Sequence, residues 1–306
     1  MDPITQIVIV GAGAMGAVYA AKFAQAEGLS VAFHAGGARY ERLRTHGVTV
    51  NDTRLTVPVI HPDDATDPAH LILVAVKDRD LPGALPDLRN VVSEQTLFLS
   101  VMNGLDSEAA IDAAYGASRA LYAIAVGIDA LREGAAVTYT TSGKLIFGEV
   151  DNHDLTPRVR AVQALLDRAG LAYETPVDMV RMLWWKFMVN VGVNQASAVM
   201  RAPYGVFHAS PEAQALMESL MREAITLAQA QGVDLREDDI AAWYRYLNTL
   251  SPAGKTSMLQ DIEAGRPTEV EIFAGKVVAL GQAHGIPTPV NETVLRIIRV
   301  LEQHPR

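Results

Sequence analysis

Lys186, Asn190 and Asn194 fall four residues apart in the run WWKFMVNVGVNQASAVM, residues 184–200. On a helix, side chains at that spacing stack along one face. The rest of the run is Trp, Phe, Met, Val and Ala, apolar nearly all round, which marks a buried helix. A lysine and two amides in such a setting are costly unless each finds a partner. Those partners are other helices, solvent or the atoms of a ligand, and spacing alone leaves the three open. The chemistry on offer is specific, however. A protonated lysine beside a carbonyl oxygen stabilises developing negative charge and then gives up its proton, and neutral amides hold a carboxylate or hydroxyl without adding charge.

A second polar group lies in TSMLQDIEAGRPTEVEIF (256–273), where Ser257, Asp261 and Glu269 come close in sequence. The segment reads as a helix, a Gly-Arg-Pro break and a further helix beginning at Thr268. On that reading Thr268 caps the helix and Glu269 is an ordinary first-turn carboxylate that suits the helix dipole.

A third set is a glycine loop. Gly11, Gly13 and Gly16, with Ala12, Ala14 and Met15 between them, make G-x-G-x-x-G directly after the β-branched run QIVIV (6–10). An Ala-rich helical stretch follows. Gly11 permits the tight turn, Gly13 lets backbone amides approach a pyrophosphate, and Gly16 lets the helix pack closely on the strand. In this strand–loop–helix context the loop predicts dinucleotide binding. After the second strand, SVAFHA (30–35), an NAD site usually carries an acid for the ribose. This chain has His34-Ala35-Gly36-Gly37 there, with Arg39 two residues beyond and Arg42 and Arg44 on the next helix. A guanidinium can pair with a 2′-phosphate, which favours NADP, with NAD as the alternative. Arg39 reads equally well as a solvated surface charge.

The elements that must position these groups change character along the chain. Strand-like runs at 6–10, 30–35, 70–77 (HLILVAVK) and 95–104 (QTLFLSVMNG) alternate with helical stretches, and the fully apolar ones suit parallel strands covered on both faces. GVTVNDTRLTVPVIH suits an edge hairpin turning near Asn51-Asp52, and residues 120–150 have antiparallel character. From about residue 156 the pattern is helical: 156–170, 176–200, 211–232, 237–249, 255–263, 268–284 and a last helix near 290–303. The expected architecture is an α/β Rossmann domain with a doubly wound, mostly parallel sheet (1–175), followed by an all-α domain (176–306), with ligands in a cleft between them.

Composition narrows the function. A formal net charge of −9 argues against nucleic-acid or anionic-membrane partners, and the absence of cysteine removes disulfides, thiolate zinc sites and a cysteine nucleophile. The eight histidines show no metal-ligand spacing, so no metal is expected. The N-terminus lacks the pattern of a signal peptide and no run spans a membrane, so a cytoplasmic location is expected.

Taken in order, GAGAMG, the strand ending AVK (75–77), the strand ending in Asn103-Gly104, W-x-K-x3-N-x3-N at 184–194, SMLQD with the glutamate of TE twelve residues after its serine, and AHGIPTP near the C-terminus resemble the 2-dehydropantoate 2-reductase (ketopantoate reductase) family over nearly the whole chain. The resemblance implies a Rossmann domain followed by a helical domain like that of 6-phosphogluconate dehydrogenase. It also implies NADPH-dependent reduction of the ketone of ketopantoate to D-pantoate, a step toward pantothenate and coenzyme A. It places Lys186 as general acid, Glu269 in catalysis and substrate binding, Asn190, Asn194 and Ser257 on the substrate, and Lys77 and Asn103 by the cofactor. The chain departs from the family at Gly36, where relatives often carry an arginine. Relatives sharing these motifs reduce other branched or aromatic 2-oxo acids, some with NADH, so a D-2-hydroxyacid dehydrogenase is the alternative. A small 2-oxo acid is the expected partner, and a homodimer is compatible with the family.

Overall fold

The β-branched run at the N-terminus opens the first of two units, Met1–Met179 and Val180–Arg306, into which the chain divides. The structure, a computed structural model, describes residues 2–304. In the first unit β1 (Gln6–Val10), α1 (Ala14–Gln25), β2 (Ser30–His34) and α2 (Gly37–His46) alternate. The short strands β3 (Val48–Val50), β4 (Thr53–Leu55) and β5 (Val59–Ile60) follow, then β6 (Leu71–Val74), α3 (Leu81–Asp87), β7 (Leu97–Ser100) and α4 (Ser107–Tyr115). The unit ends with β8 (Ala120–Ile128), β9 (Leu131–Glu133), β10 (Ala136–Thr138), β11 (Ser142–Gly148), α5 (Pro157–Arg168) and β12 (Ala172–Glu174).

Eight strands form one sheet in the order β12-β11-β8-β7-β6-β1-β2-β5. All pairs from β5 to β8 are parallel, whereas β11 runs antiparallel to β8. From β5 to β8 the strand order is 3-2-1-4-5-6, the doubly wound dinucleotide-binding arrangement, whose ligands bind beyond the carboxyl ends of the strands where the order reverses. Alternate side chains feed two cores. Ile7, Ile9, Leu71, Leu73, Leu97 and Leu99 face one, and Val8, Val10, Ile72, Val74 and Phe98 face the other. These strands are therefore apolar throughout because both faces are covered.

The hairpin near Asn51-Asp52 forms as its pattern predicts, with both turn residues in the left-handed region (φ 43° and 62°). It does not lie on the edge of the main sheet, where β5 is the outer strand beside β2. Instead β3 and β4 join β9 and β10 in a separate sheet ordered β4-β3-β10-β9. The reason is burial: Val48, Val50 and Val137 point into the same core as α1.

The second unit is helical and begins one residue into α6 (Met179–Val189), followed by α7 (Gln195–Met200), α8 (Tyr204–Ala209), α9 (Pro211–Ala230), α10 (Glu237–Leu247), α11 (Ser257–Glu263), α12 (Ala274–His284) and α13 (Pro289–Gln303). Side-chain caps start two of them, Ser210 accepting from the Ala213 amide and Thr256 from that of Leu259. Three expectations need correction. The helix over 176–200 is broken by a π-helical segment, Asn190–Asn194. Helix α8 has no counterpart in the periodicity. The helix expected from Thr268 begins instead at Ala274, after a short 3-10 turn over Val270–Ile272. Thr268 does accept a hydrogen bond from the Val270 amide, yet its own hydroxyl and amide are drawn to Glu302 on α13, which holds it outside the helix. Among the described residues no helix is long and apolar enough to cross a membrane.

Candidate active site

Lys186 lies in the last turn of α6, next to the buried Phe187 and near the buried Val189. It keeps only partial contact with solvent. Removal from water pulls its ammonium down from the usual lysine range to about 8, and the negative charge of Glu269 partly offsets that fall. Glu269 stands at the start of the 3-10 turn, on a segment fixed by a fully buried Phe273 whose ring lies 6.4 Å from that of Phe187. Trp184 completes this aromatic cluster, edge-on to Phe187 at 5.6 Å. Burying a phenylalanine contributes roughly 1.5–3 kcal/mol, so the two chain segments that bring lysine and carboxylate together are held by packing.

The amides follow on the π segment. Asn194 Nδ2 lies 3.4 Å from Asn190 Oδ1 and 3.5 Å from Ser257 Oγ, and Ser257 is exposed at the start of α11. Contacts of that length are weak, so Asn194 does not hold Asn190 or Ser257 tightly. The π turn also corrects the stripe. In an α-helix four residues overshoot a full turn by about 40°, and a π turn winds less per residue, which works against that drift between Asn190 and Asn194. Gly192 permits it by packing on α9, where a Cβ would stand 2.5 Å from Met221 Cγ and 3.1 Å from the Met217 carbonyl oxygen. Asp261, grouped with Ser257 and Glu269 by sequence, is instead buried on an ion pair with Arg266 at 2.9 Å.

The first unit gathers the remaining candidates at the carboxyl ends of β1, β6 and β7, which are neighbours in the sheet. Gly11 adopts φ +103°, and a Cβ there would approach the Ala75 carbonyl oxygen to 2.5 Å. A Cβ on Gly16 would stand 1.9 Å from the Gly11 oxygen. Gly13 is different: its nearest neighbour would be the Ala75 oxygen at 4.0 Å, which leaves open space above the loop. Helix α1 begins there with no side-chain cap and no acid in its first turn. With Ala12, Ala14 and Met15 also small or flexible, the loop and the helix N-terminus fit a pyrophosphate. Lys77 follows β6 and Asn103 follows β7.

Arg39, in the first turn of α2, forms an ion pair with Asp80 at 2.8 Å and is about half exposed. At Gly36 a Cβ would lie 3.2 Å from an Asp87 carboxylate oxygen and 3.3 Å from Pro62, which leaves little room for a longer side chain. A cation that sequence reasoning missed is Arg132 on β9, whose guanidinium donates to the Ala12 carbonyl of the glycine loop and to the Gly134 carbonyl. Burial, with Arg42 nearby as a second positive charge, holds its pKa below the usual arginine range. Nothing local marks it, because its place depends on the long-range pairing of β10 with β3.

A doubly wound sheet with a glycine loop, joined to a helical unit that buries a lysine beside a carboxylate, belongs to the NAD(P)-dependent oxidoreductases that act on a CH–OH/C=O pair. Residues 7–152 match the family described as ketopantoate reductase PanE/ApbA, and residues 178–302 match its C-terminal region, ketopantoate reductase PanE/ApbA C terminal. The chain belongs to the ketopantoate reductase family. A 2-dehydropantoate 2-reductase of Halobacterium salinarum is 26% identical over 303 residues, covering 97% of this chain and 99% of its own. A crystal structure of 2-dehydropantoate 2-reductase from Geobacter metallireducens aligns with TM-score 0.85 at 28% identity, over 96% of this chain and 99% of that one. The ternary structure of D-mandelate dehydrogenase with NADH and anilino(oxo)acetate aligns with TM-score 0.88 at 20% identity, over 98% and 99%, a likeness of fold alone.

Proposed function

We propose that this protein reduces 2-dehydropantoate to D-pantoate with NADPH, with Lys186 as general acid, on the path to pantothenate and coenzyme A. The observation that carries this reading is the pairing of a desolvated Lys186 with Glu269 beside Asn190, Asn194 and Ser257. The loop Gly11–Gly16, Lys77 and Asn103 hold the dinucleotide, which when bound supplies the hydride. As negative charge builds on the ketone oxygen, the Lys186 ammonium stabilises it and then transfers its proton from Nζ. Asn190, Asn194 and Ser257 orient the substrate carboxylate and hydroxyl as neutral donors. Glu269 keeps Lys186 protonated near neutral pH and accepts from a substrate hydroxyl.

The pH dependence follows with a definite sign. The acid must be protonated, and its pKa lies near 8, so kcat is expected to hold below that value and fall as pH rises through it. Glu269→Gln removes the charge that raises Lys186, so the midpoint should move to lower pH. A pH series of kcat for both proteins checks this, and an upward or absent displacement contradicts the pairing.

Two cations can hold a 2′-phosphate. Arg39 reaches it by exchanging its Asp80 partner, and Arg132 has no carboxylate partner among the described residues. Alanine at either position is expected to weaken NADPH binding about tenfold, roughly 1.4 kcal/mol, and NADH binding by less than about twofold. Fluorescence titration of both nucleotides reads the difference, and an equal loss for NADH would move the residue concerned to the pyrophosphate.

Growth tests the physiological reading. The chain should restore a strain lacking ketopantoate reductase to growth without pantothenate, and its Lys186→Ala variant should not. Failure of the wild-type chain, present at normal abundance, would favour a D-2-hydroxyacid dehydrogenase acting on another branched or aromatic 2-oxo acid.

A further inference from the structure

Gln195, the first residue of α7, is wholly buried, and its amide is paired at both ends. Nε2 donates to the Val191 carbonyl at 2.7 Å and to Asn291 Oδ1 at 3.0 Å, and Oε1 accepts from the Ala274 amide at 2.9 Å. Each of those partners matters. Val191 lies inside the π segment, between Asn190 and Asn194. Ala274 opens α12, directly after the turn that carries Glu269, and its capture by Gln195 explains why that helix starts there and not at Thr268. Asn291 is itself wholly buried and passes the connection to Glu223 on α9 at 2.7 Å. Glu223 also accepts from the Val290 and Asn291 amides, at 2.9 Å each. A buried amide satisfied in this way is rigid, because any displacement leaves a polar atom unpaired.

We propose that Gln195 is a positioning residue: its side chain locks the π segment bearing Asn190 and Asn194 against the turn bearing Glu269, and so sets the geometry in which Glu269 meets Lys186. The inference rests on the proposed roles of Lys186 and Glu269 but not on the identity of the 2-oxo acid. Asn291 supplies the internal comparison. It ties α13 to α9, and its hydrogen bond toward the site runs to Gln195, so its loss weakens the scaffold and leaves Val191 and Ala274 still joined.

The experiment compares three variants of the full chain. Gln195→Met keeps the length of the side chain but neither donates nor accepts as an amide does. Gln195→Glu keeps the acceptor for the Ala274 amide and loses both donors. Asn291→Ala cuts the outer tie. A loss of alignment on the order of 1 Å can cost about 100-fold in rate. For Gln195→Met and Gln195→Glu, kcat is therefore expected to fall about 10- to 100-fold with KM raised, while NADPH affinity stays at the wild-type value. In Gln195→Met the Lys186 midpoint, followed by NMR of labelled lysine side chains without substrate, is expected to move to lower pH as Glu269 is released. Asn291→Ala is expected to lower Tm, with kcat within about threefold of wild type and the midpoint unmoved.

Wild-type kcat, KM and midpoint in a folded Gln195→Met protein would overturn the assignment, as would equal displacements in Asn291→Ala. If Gln195→Met fails to fold, Gln195→Glu decides on kcat and KM. Lack of turnover of ketopantoate by the wild-type chain would sink the substrate reading alone, since the lysine titration needs no substrate.

Discussion

Lys186→Ala is expected to reduce kcat by about 100- to 10,000-fold, the range over which a positioned acid acts, equivalent to roughly 3–5.5 kcal/mol of transition-state stabilisation. The dinucleotide affinity should stay within about twofold, because the glycine loop belongs to the other unit. In the proposed mechanism the effect is large because the ammonium would perform two tasks with one atom, stabilising charge on the oxygen and then giving it a proton. Its desolvation strengthens the first task and brings its pKa near the working pH for the second. Lys186→Arg keeps the positive charge but cannot give up a proton at neutral pH, so it too is expected to be nearly inactive. Steady-state kinetics together with NADPH titration check both variants. Near-normal turnover by either would remove the acid assignment.

Gly13→Ala is the second large effect, and its pattern is more informative than its size. The Gly13 backbone lies in an extended region that any residue adopts (φ −72°), and the added Cβ would meet nothing closer than 4.0 Å. Stability should therefore be unchanged. A pyrophosphate drawn onto the loop amides approaches that same space, so NADPH affinity is expected to fall at least tenfold, roughly 1.4 kcal/mol or more. Gly16→Ala contrasts with it. There the new Cβ would overlap a backbone oxygen at 1.9 Å, so the loop must shift. Both stability, by about 1–3 kcal/mol, and affinity should be lost. Thermal melts run beside nucleotide titrations separate the two cases. Undiminished affinity in Gly13→Ala would mean that the loop does not hold the cofactor.

Much of this arrangement is legible in the chain because it rests on local rules. The glycine loop announces itself through a β-branched strand before it and a helix after it, and the parallel strands through unbroken apolar runs. The lysine–asparagine stripe is visible as spacing. What spacing does not reveal is the π turn at Asn190–Asn194, which exists because Gly192 packs against Met217 and Met221 of α9, far away in sequence. The start of α12 is hidden for the same reason, since the Ala274 amide is claimed by Gln195. Gln195 reads as an unremarkable polar residue in QASAV until three distant segments converge on it. Ser257 and Glu269 stand out through likeness to a family, whereas Thr268-Glu269 by itself reads as a plain helix-start carboxylate. Arg132 is invisible until β9 and β10 are paired with β3.

The proposed activity is the reduction of ketopantoate with NADPH. Its most direct test is the value of kcat/KM for ketopantoate, 2-oxoisovalerate and benzoylformate, each measured with NADPH and with NADH. The expected result is the highest value for ketopantoate with NADPH, by at least about tenfold over every other pair. A higher value for benzoylformate or 2-oxoisovalerate, or for ketopantoate with NADH, would contradict it.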